Sequence, residues 1–370
     1  MTDTEAARLD ALRRACTRFL HAHGQRGPAE ILAELPDDIE EDRYGDGGVV
    51  SELETLVADL LGKPAAVFMP SGTMAQQIAL RIHADRRGRR TVAFHPTCYI
   101  DLYENRAYER LHGLNGRPIG DPKGLLTLDD IEGVAEPLAA LVLELPQREI
   151  GGPLPGWNDL VAQSAWARQH GTALHLDGAR VWECGPHYGR PLSDIAGLFD
   201  SVYVSFYKGL GAVSGSCLAG ERDLIAEARE WRHRHGGTVF ALWPYAASAL
   251  AALRLRLDRM PSYLDHALAI ASALRDLPDV AVVPDPPQTP MMHIHLRTDR
   301  DALDAAMEQI AQERRIWTWR RCYPSDHPGW QRVELAVGDA TLGFTPGEVR
   351  DLIARMVASR RPPCDPPPAT

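Results

Sequence analysis

No run of about 18 apolar residues occurs in this 370-residue chain, so no segment reads as a transmembrane helix. The first residues, Met1-Thr2-Asp3-Thr4-Glu5, are acidic and lack the apolar core of a signal peptide, which argues against secretion. There is no Cys-x-x-Cys pair. The six cysteines, Cys16, Cys98, Cys184, Cys217, Cys322 and Cys364, are scattered, so neither a zinc ligand set nor a disulfide framework is expected, and they read as reduced thiols of a cytoplasmic protein. Positive charge is also short: 40 Lys and Arg against 50 Asp and Glu leave a net charge of −10, which argues against nucleic acid or an anionic membrane as partner. The one basic run, Arg86-Arg87-Gly88-Arg89-Arg90, reads as the solvated end of a helix.

What is present is ordinary globular composition, 45% hydrophobic and 24% charged residues. Single cores stop growing near ~250–300 residues, so a large and a smaller domain are expected. The patterning predicts an N-terminal helical segment over 1–40, a large domain over 41–258, a smaller one over 259–359 and a disordered Pro-rich tail over 360–370. Within the first segment, Leu9, Leu12, Ala15, Cys16, Phe19 and Leu20 fall at helical spacing and predict a helix over 4–22. Leu53, Leu56, Val57, Leu60 and Leu61 predict another that ends at Gly62. Short aliphatic strands at 66–69, 91–95, 140–144 and 202–204 alternate with such helices, the pattern of an α/β domain. Pro284 to Pro290 reads as a rigid linker, and the two histidines His21 and His23 as a solvated loop.

One lysine stands out. Val202-Tyr203-Val204 predicts a buried strand that breaks into a Gly-rich stretch, and Lys208 lies just past its end. Earlier in the chain, Ala173-Leu174-His175-Leu176-Asp177-Gly178-Ala179-Arg180 repeats the layout, a short apolar strand followed by an acid and an arginine. Ligands of α/β sheets sit outside the carboxyl ends of the strands, so these groups face one crevice. Any one of them alone reads as a surface ion. Together they suit pyridoxal phosphate, which needs a Schiff-base lysine and an acid facing its ring nitrogen. The turn Ser71-Gly72-Thr73 opens a helix, and its free amides suit a phosphate, although Ser71 can equally be a plain N-cap.

His175 to Arg180, the turn Lys208-Gly209-Leu210-Gly211, Pro70 to Ala75 and Asp42-Arg43-Tyr44-Gly45-Asp46 together resemble the threonine aldolase/β-eliminating lyase family, over about residues 42 to 350. The resemblance implies the fold-type I pyridoxal-phosphate transferase fold: α/β, with a large mostly parallel sheet and a smaller α+β C-terminal domain. It implies pyridoxal 5'-phosphate as cofactor, a small amino-acid substrate, a homodimer or homotetramer, and retro-aldol cleavage of a β-hydroxy-α-amino acid to glycine and an aldehyde. On this reading Lys208 carries the cofactor, Asp177 faces its ring nitrogen, and Ser71, Gly72 and Thr73 hold its phosphate. Arg180 lies near the ring oxygen or the substrate carboxylate, and Arg332 binds that carboxylate bidentately.

The chain also departs from the family. Tyr99 stands where relatives stack a histidine on the ring, and Gln147 where they place a second histidine near the substrate hydroxyl. A tyrosine stacks but, with an ordinary pKa near ~10, is a poor base. Arg148, Glu149, His175 and Tyr207 are the substitutes that remain, His175 also fitting as a plain strand residue. Tyr207 replaces a phosphate-binding serine, and the arginine expected after Gly236-Gly237 is missing. β-Elimination, transaldol transfer, racemisation, transamination or a role without turnover therefore stay open. His293 and His295 share a strand face but have no further ligands at matching spacing, so no metal is expected.

Overall fold

The computed structural model describes residues 3–319 and 321–358. These form two compact units: Arg26–Pro261, and the described residues up to Gln25 together with those from Ser262 onward. The stretch 1–40 expected as one segment is thus divided between the two.

The larger unit is built on seven strands: β1 (Ala65–Met69), β2 (Thr91–Phe94), β3 (Asn115–Pro118), β4 (Ala140–Glu144), β5 (Ala173–Gly178), β6 (Ser201–Ser205) and β7 (Ser216–Gly220). Their order across the sheet is β1-β7-β6-β5-β4-β2-β3. Only β7 runs antiparallel to its neighbours, and the other adjacent pairs are parallel. The central strands are apolar and buried along nearly their whole length, as helices covering both faces require. Helix α1 (Gly48–Leu61) buries Val50, Leu53, Val57 and Leu61 and stops at Gly62 in the left-handed region, φ 60°. Helix α2 (Gly72–Arg87) begins at the N-cap Ser71 and ends at Gly88, with Arg86 and Arg87 in its last turn.

Parallel strands send all their carboxyl ends to one edge. Ser71 follows β1, Tyr99 follows β2, Glu144 ends β4, Asp177 is the penultimate residue of β5, and Lys208 follows β6. Because β6 and β7 are antiparallel neighbours, residues 206–215 join them without a crossover helix. The lysine loop therefore stays at that edge. The motif Asp42 to Asp46 is structural: buried Asp42 accepts from the amides of Leu242 (2.8 Å) and Trp243 (2.7 Å), and so caps the helix Trp243–Arg256, while Gly45 N–H donates to its other oxygen at 2.8 Å.

The second unit holds a four-stranded antiparallel sheet of β8 (Val280–Val283), β9 (Met291–Leu296), β10 (Tyr323–Pro324) and β11 (Gln331–Ala336), ordered β10-β11-β9-β8. Pro284 to Pro290 joins the paired strands β8 and β9, so it spans a turn within one sheet and does not link domains. The helix expected over 4–22 is shorter, Asp3–Ala15. Beyond it Arg18–Phe19 pairs in parallel with Ile316–Trp317, and Leu20 N–H donates to the Trp317 carbonyl at 2.8 Å. Three or four apolar residues do not distinguish a helical turn from a strand, and tertiary pairing decided for the strand. His23 is not solvated: its side chain is 6% exposed and lies 3.4 Å from Asp339. Among the described residues no group of His, Cys, Asp and Glu could hold a metal, and no helix is long and apolar enough to cross a membrane. The tail from Arg360, with Cys364, lies outside the described residues; Cys16, Cys98, Cys184, Cys217 and Cys322 are free and buried.

Candidate active site

The pocket at the carboxyl edge of the large sheet is lined by Tyr99, Glu144, Leu145, Pro146, Arg148, Asp177, Ala179, Arg180, Tyr203 and Lys208. Register explains much of the set. Glu144, Asp177 and Tyr203 are partners across β4, β5 and β6, so their side chains form a row on one face. Lys208 Nζ sits over the Tyr99 ring, 4.8 Å from its centroid, and 5.3 Å from that of Tyr207. Tyr99 is packed in turn on Tyr103, ring centroids 4.9 Å apart, and Tyr103 hydroxyl donates to Glu149 at 2.9 Å.

The carboxylates are strongly perturbed. Asp177 is 1% exposed; Gln76 Nε2 donates to its Oδ2 at 2.7 Å and the Ala179 amide to its Oδ1 at 3.2 Å. Burial raises the Asp177 carboxyl, against the pull of those bonds and of Lys208. Burial, and then the neighbouring Asp177 charge, push Glu144 up to about 8. Gln147 Nε2 donates to Glu144 Oε2 at 3.3 Å and the Arg148 amide to Oε1 at 3.2 Å. Glu104, which accepts from Gln77 Nε2 at 2.8 Å, is pushed by burial up to about 7.

Two glycines are required by close approach. A Cβ on Gly72 would lie 2.1 Å from the Tyr203 hydroxyl, so the N-terminus of α2 meets the pocket through that tyrosine. A Cβ on Gly209 would lie 2.1 Å from Glu183 Oε1, which packs buried Glu183 against the turn that follows the lysine. Ser205, two residues beyond Tyr203 and so on the same face of β6, is fully buried, with its hydroxyl beside those of Tyr203 and Tyr207.

A lysine over an aromatic ring, a buried acid at the adjacent strand end and a glycine-opened helix are now together on one edge, and comparison with known proteins agrees. Residues 32–298 match the family described as beta-eliminating lyase. The chain belongs to that family. It is 32% identical to the low specificity L-threonine aldolase of Escherichia coli (strain K12), over 67% of this chain and 74% of that one. A solved structure from Exiguobacterium sp. 255-15, assigned as an aromatic amino acid beta-eliminating lyase/threonine aldolase, is 38% identical with a TM-score of 0.89, covering 95% of this chain and 99% of the other. One from Listeria monocytogenes, assigned as an L-allo-threonine aldolase, is 36% identical with the same TM-score and coverage. The architecture is the fold-type I pyridoxal-phosphate fold expected from the resemblance.

The residues present fit the cofactor of this family of lyases. The Tyr203 hydroxyl packs so closely on the N-terminus of α2 that a Cβ on Gly72 would meet it at 2.1 Å, and this hydroxyl, the buried Ser205 beside it and the amides opening α2 are donors suited to an anion. Ser71 serves as the N-cap, its Oγ accepting from the Met74 amide at 3.3 Å. Of the residues singled out from sequence, Lys208, Asp177, Tyr99, Arg180 and Arg148 line the pocket, and Ser71, Gly72 and Thr73 are not among its lining residues. Gln147 does not; it is 4% exposed and turned toward Thr97 Oγ1 (3.2 Å) and Glu144. Arg332 stands on β11 of the other unit, opposite His295. His175 is buried within the sheet, bonded on both ring nitrogens, and lines no part of the pocket. Sequence reasoning missed Glu144, whose signal was its place at the end of an apolar strand beside the Asp177 strand. It also missed Gln76 and Glu104, which nothing local marks.

Proposed function

We propose that the chain is a pyridoxal-phosphate-dependent aldehyde-lyase that cleaves a β-hydroxy-α-amino acid to glycine and an aldehyde. The observation that carries this reading is the convergence of Lys208, Asp177 and Tyr99 on one pocket of a beta-eliminating lyase fold. Bound there, pyridoxal phosphate supplies an electron sink for negative charge at the substrate Cα. Lys208 Nζ is the amine that anchors it, Asp177 holds a proton at the ring nitrogen, and Tyr99 covers one ring face. The amides of Gly72 and Thr73, with Tyr203 and Ser205 hydroxyls, bind phosphate. Arg180, which lines the same pocket, keeps the role that the resemblance assigns it. Glu144 is the lining acid that titrates near neutral pH, and it takes the proton of the substrate hydroxyl.

A second reading, another reaction on the same cofactor such as β-elimination, is favoured by one observation: no histidine is among the lining residues. Incubating the loaded protein with threonine, allo-threonine, phenylserine and serine, with products identified by mass spectrometry, separates the two. Glycine plus an aldehyde is expected; an oxo acid with ammonia supports the second reading, and no product from any of them refutes both. The protein is further read as a cytoplasmic homo-oligomer. The buried free thiols support the compartment. The exposed apolar side chains Tyr44, Val239, Phe240 and Tyr245 support self-association, with the Tyr44 and Phe240 rings in edge contact at 5.4 Å. Light scattering that returns a monomer would count against that association.

A further inference from the structure

A file of buried polar side chains leads away from Asp177 beneath α2. Gln76, His83 and Arg87 stand seven and four residues apart on one face of α2, while His175 and Ser201 are register partners on β5 and β6. Gln76 Nε2 donates to Asp177 Oδ2 at 2.7 Å, and Gln76 Oε1 lies 3.3 Å from His175 Nε2. His175 Nδ1 is 2.7 Å from Ser201 Oγ, which is also 2.7 Å from His83 Nε2. His83 Nδ1 ends the file 3.4 Å from the half-buried Arg87 Nη1. Asp177, Gln76, His175, Ser201 and His83 are each at most 2% exposed, so water does not compete for these bonds.

The two ends determine the direction of every link. An ionised carboxylate only accepts and a guanidinium only donates. Gln76 must then present its NH₂ to Asp177 and its carbonyl to His175, which carries its proton on Nε2. His175 Nδ1 accepts the single Ser201 hydroxyl proton, Ser201 Oγ accepts from His83 Nε2–H, and His83 Nδ1 accepts from Arg87. Neutral rings are needed, and burial keeps them so: His175 is lowered to about 3 against a small opposing pull from the Ser201 backbone. His83 is lowered well below its ordinary value by burial, then by His175 and Arg87. Reversing the file would need a protonated Asp177 and would set a His83 N–H against an Arg87 N–H. The other charged groups facing Asp177 are Glu144 and Glu104, which oppose its ionisation, and Lys208, which favours it.

We propose that Gln76, His175, Ser201, His83 and Arg87 are positioning residues that aim Asp177 at the ring nitrogen of bound pyridoxal phosphate and keep it ionised, each donating toward the carboxylate. This rests on the reading of Asp177 as the partner of that nitrogen. The test uses the protein loaded with pyridoxal phosphate labelled with ¹⁵N in the ring, its histidines labelled likewise. Both His83 and His175 are expected to be neutral with the proton on Nε2. Ser201→Ala cuts the file at its middle; it should weaken cofactor binding roughly tenfold and move the ring-nitrogen resonance toward the unprotonated position. Ser201→Thr, which keeps the hydroxyl, should restore both. Arg87→Met removes the far donor without entering the core and should move the same resonance in the same direction. A proton on Nδ1 of His175, or an unmoved ring-nitrogen signal in both Ser201→Ala and Arg87→Met, overturns the relay alone. An unmoved signal in Asp177→Asn overturns the cofactor reading and the proposal with it.

Discussion

Replacing Glu144 by glutamine separates the burial of this side chain from its charge. In the folded chain burial, and behind it the Asp177 charge, raise the carboxyl from 4.5 to about 8, whereas the unfolded chain keeps the ordinary value. An acid raised in this way leaves stability intact below its unfolded value and removes it progressively as pH rises toward the folded one. The slope in that window is about 1.4 kcal/mol per pH unit, so roughly 3 kcal/mol is lost between about pH 5 and pH 7. Glutamine has a similar volume and does not titrate, so Glu144→Gln should abolish this loss. Unfolding entropy of ~2.1 cal/mol/K per residue over the 370-residue chain amounts to ~0.8 kcal/mol/K, which converts 3 kcal/mol into about 4 °C of Tm. Thermal melts of the cofactor-free wild type and variant at the two pH values provide the assay. The variant's advantage should grow by about that amount from the lower pH to the higher. Melting temperatures that stay parallel would show that Glu144 is ionised in the folded pocket and refute the reasoning.

In the loaded enzyme the same substitution should lower kcat by ~10²–10⁴-fold with the cofactor dissociation constant nearly unchanged; a proportional loss of cofactor would mean that Glu144 holds the site together and moves no proton. Gly72→Ala sets a Cβ 2.1 Å from the Tyr203 hydroxyl and should weaken cofactor binding at least about tenfold, a defect that Tyr203→Phe relieves in part; fluorescence titration with pyridoxal phosphate measures both. Tyr99→Ala removes the aromatic face above Lys208 and should cost about 0.5–1.5 kcal/mol of cofactor affinity, whereas Tyr99→Phe should leave affinity within twofold or so. Lys208→Ala should bind the cofactor only reversibly, so borohydride treatment and intact mass should add it to the wild type and not to the variant.

The strands at the pocket edge were legible because the chemistry-bearing residues follow short apolar runs, and a mostly parallel sheet sends the ends of such runs to one side. Lys208, Asp177 and Arg180 could be placed from that rule alone, whereas Tyr99 was marked only by the family resemblance. Gln147 could not, because the turn of the chain after β4 points its amide back at Glu144. The Asp42 to Asp46 motif carried the family resemblance, yet its acid works as a helix cap some 200 residues away in sequence. No local pattern announces such a partner. The N-terminal helix was overextended for a related reason: Arg18–Phe19 becomes a strand only because Ile316–Trp317 is there to pair with it.

By itself, then, the order of residues determined the α/β alternation, the helix stops at Gly62 and Gly88, and the lysine, acid and arginine of the site. These depend on backbone propensity and on periodicity, which act over a few residues. Only the tertiary structure decided that Glu144 and Asp177 are neighbours sharing one buried environment, that Tyr203 closes against Gly72, and that Gln76, His175, Ser201 and His83 align behind the acid. Those relations arise from sheet register and from the helix laid across it, and the protonation of every group in the pocket follows from the burial they create.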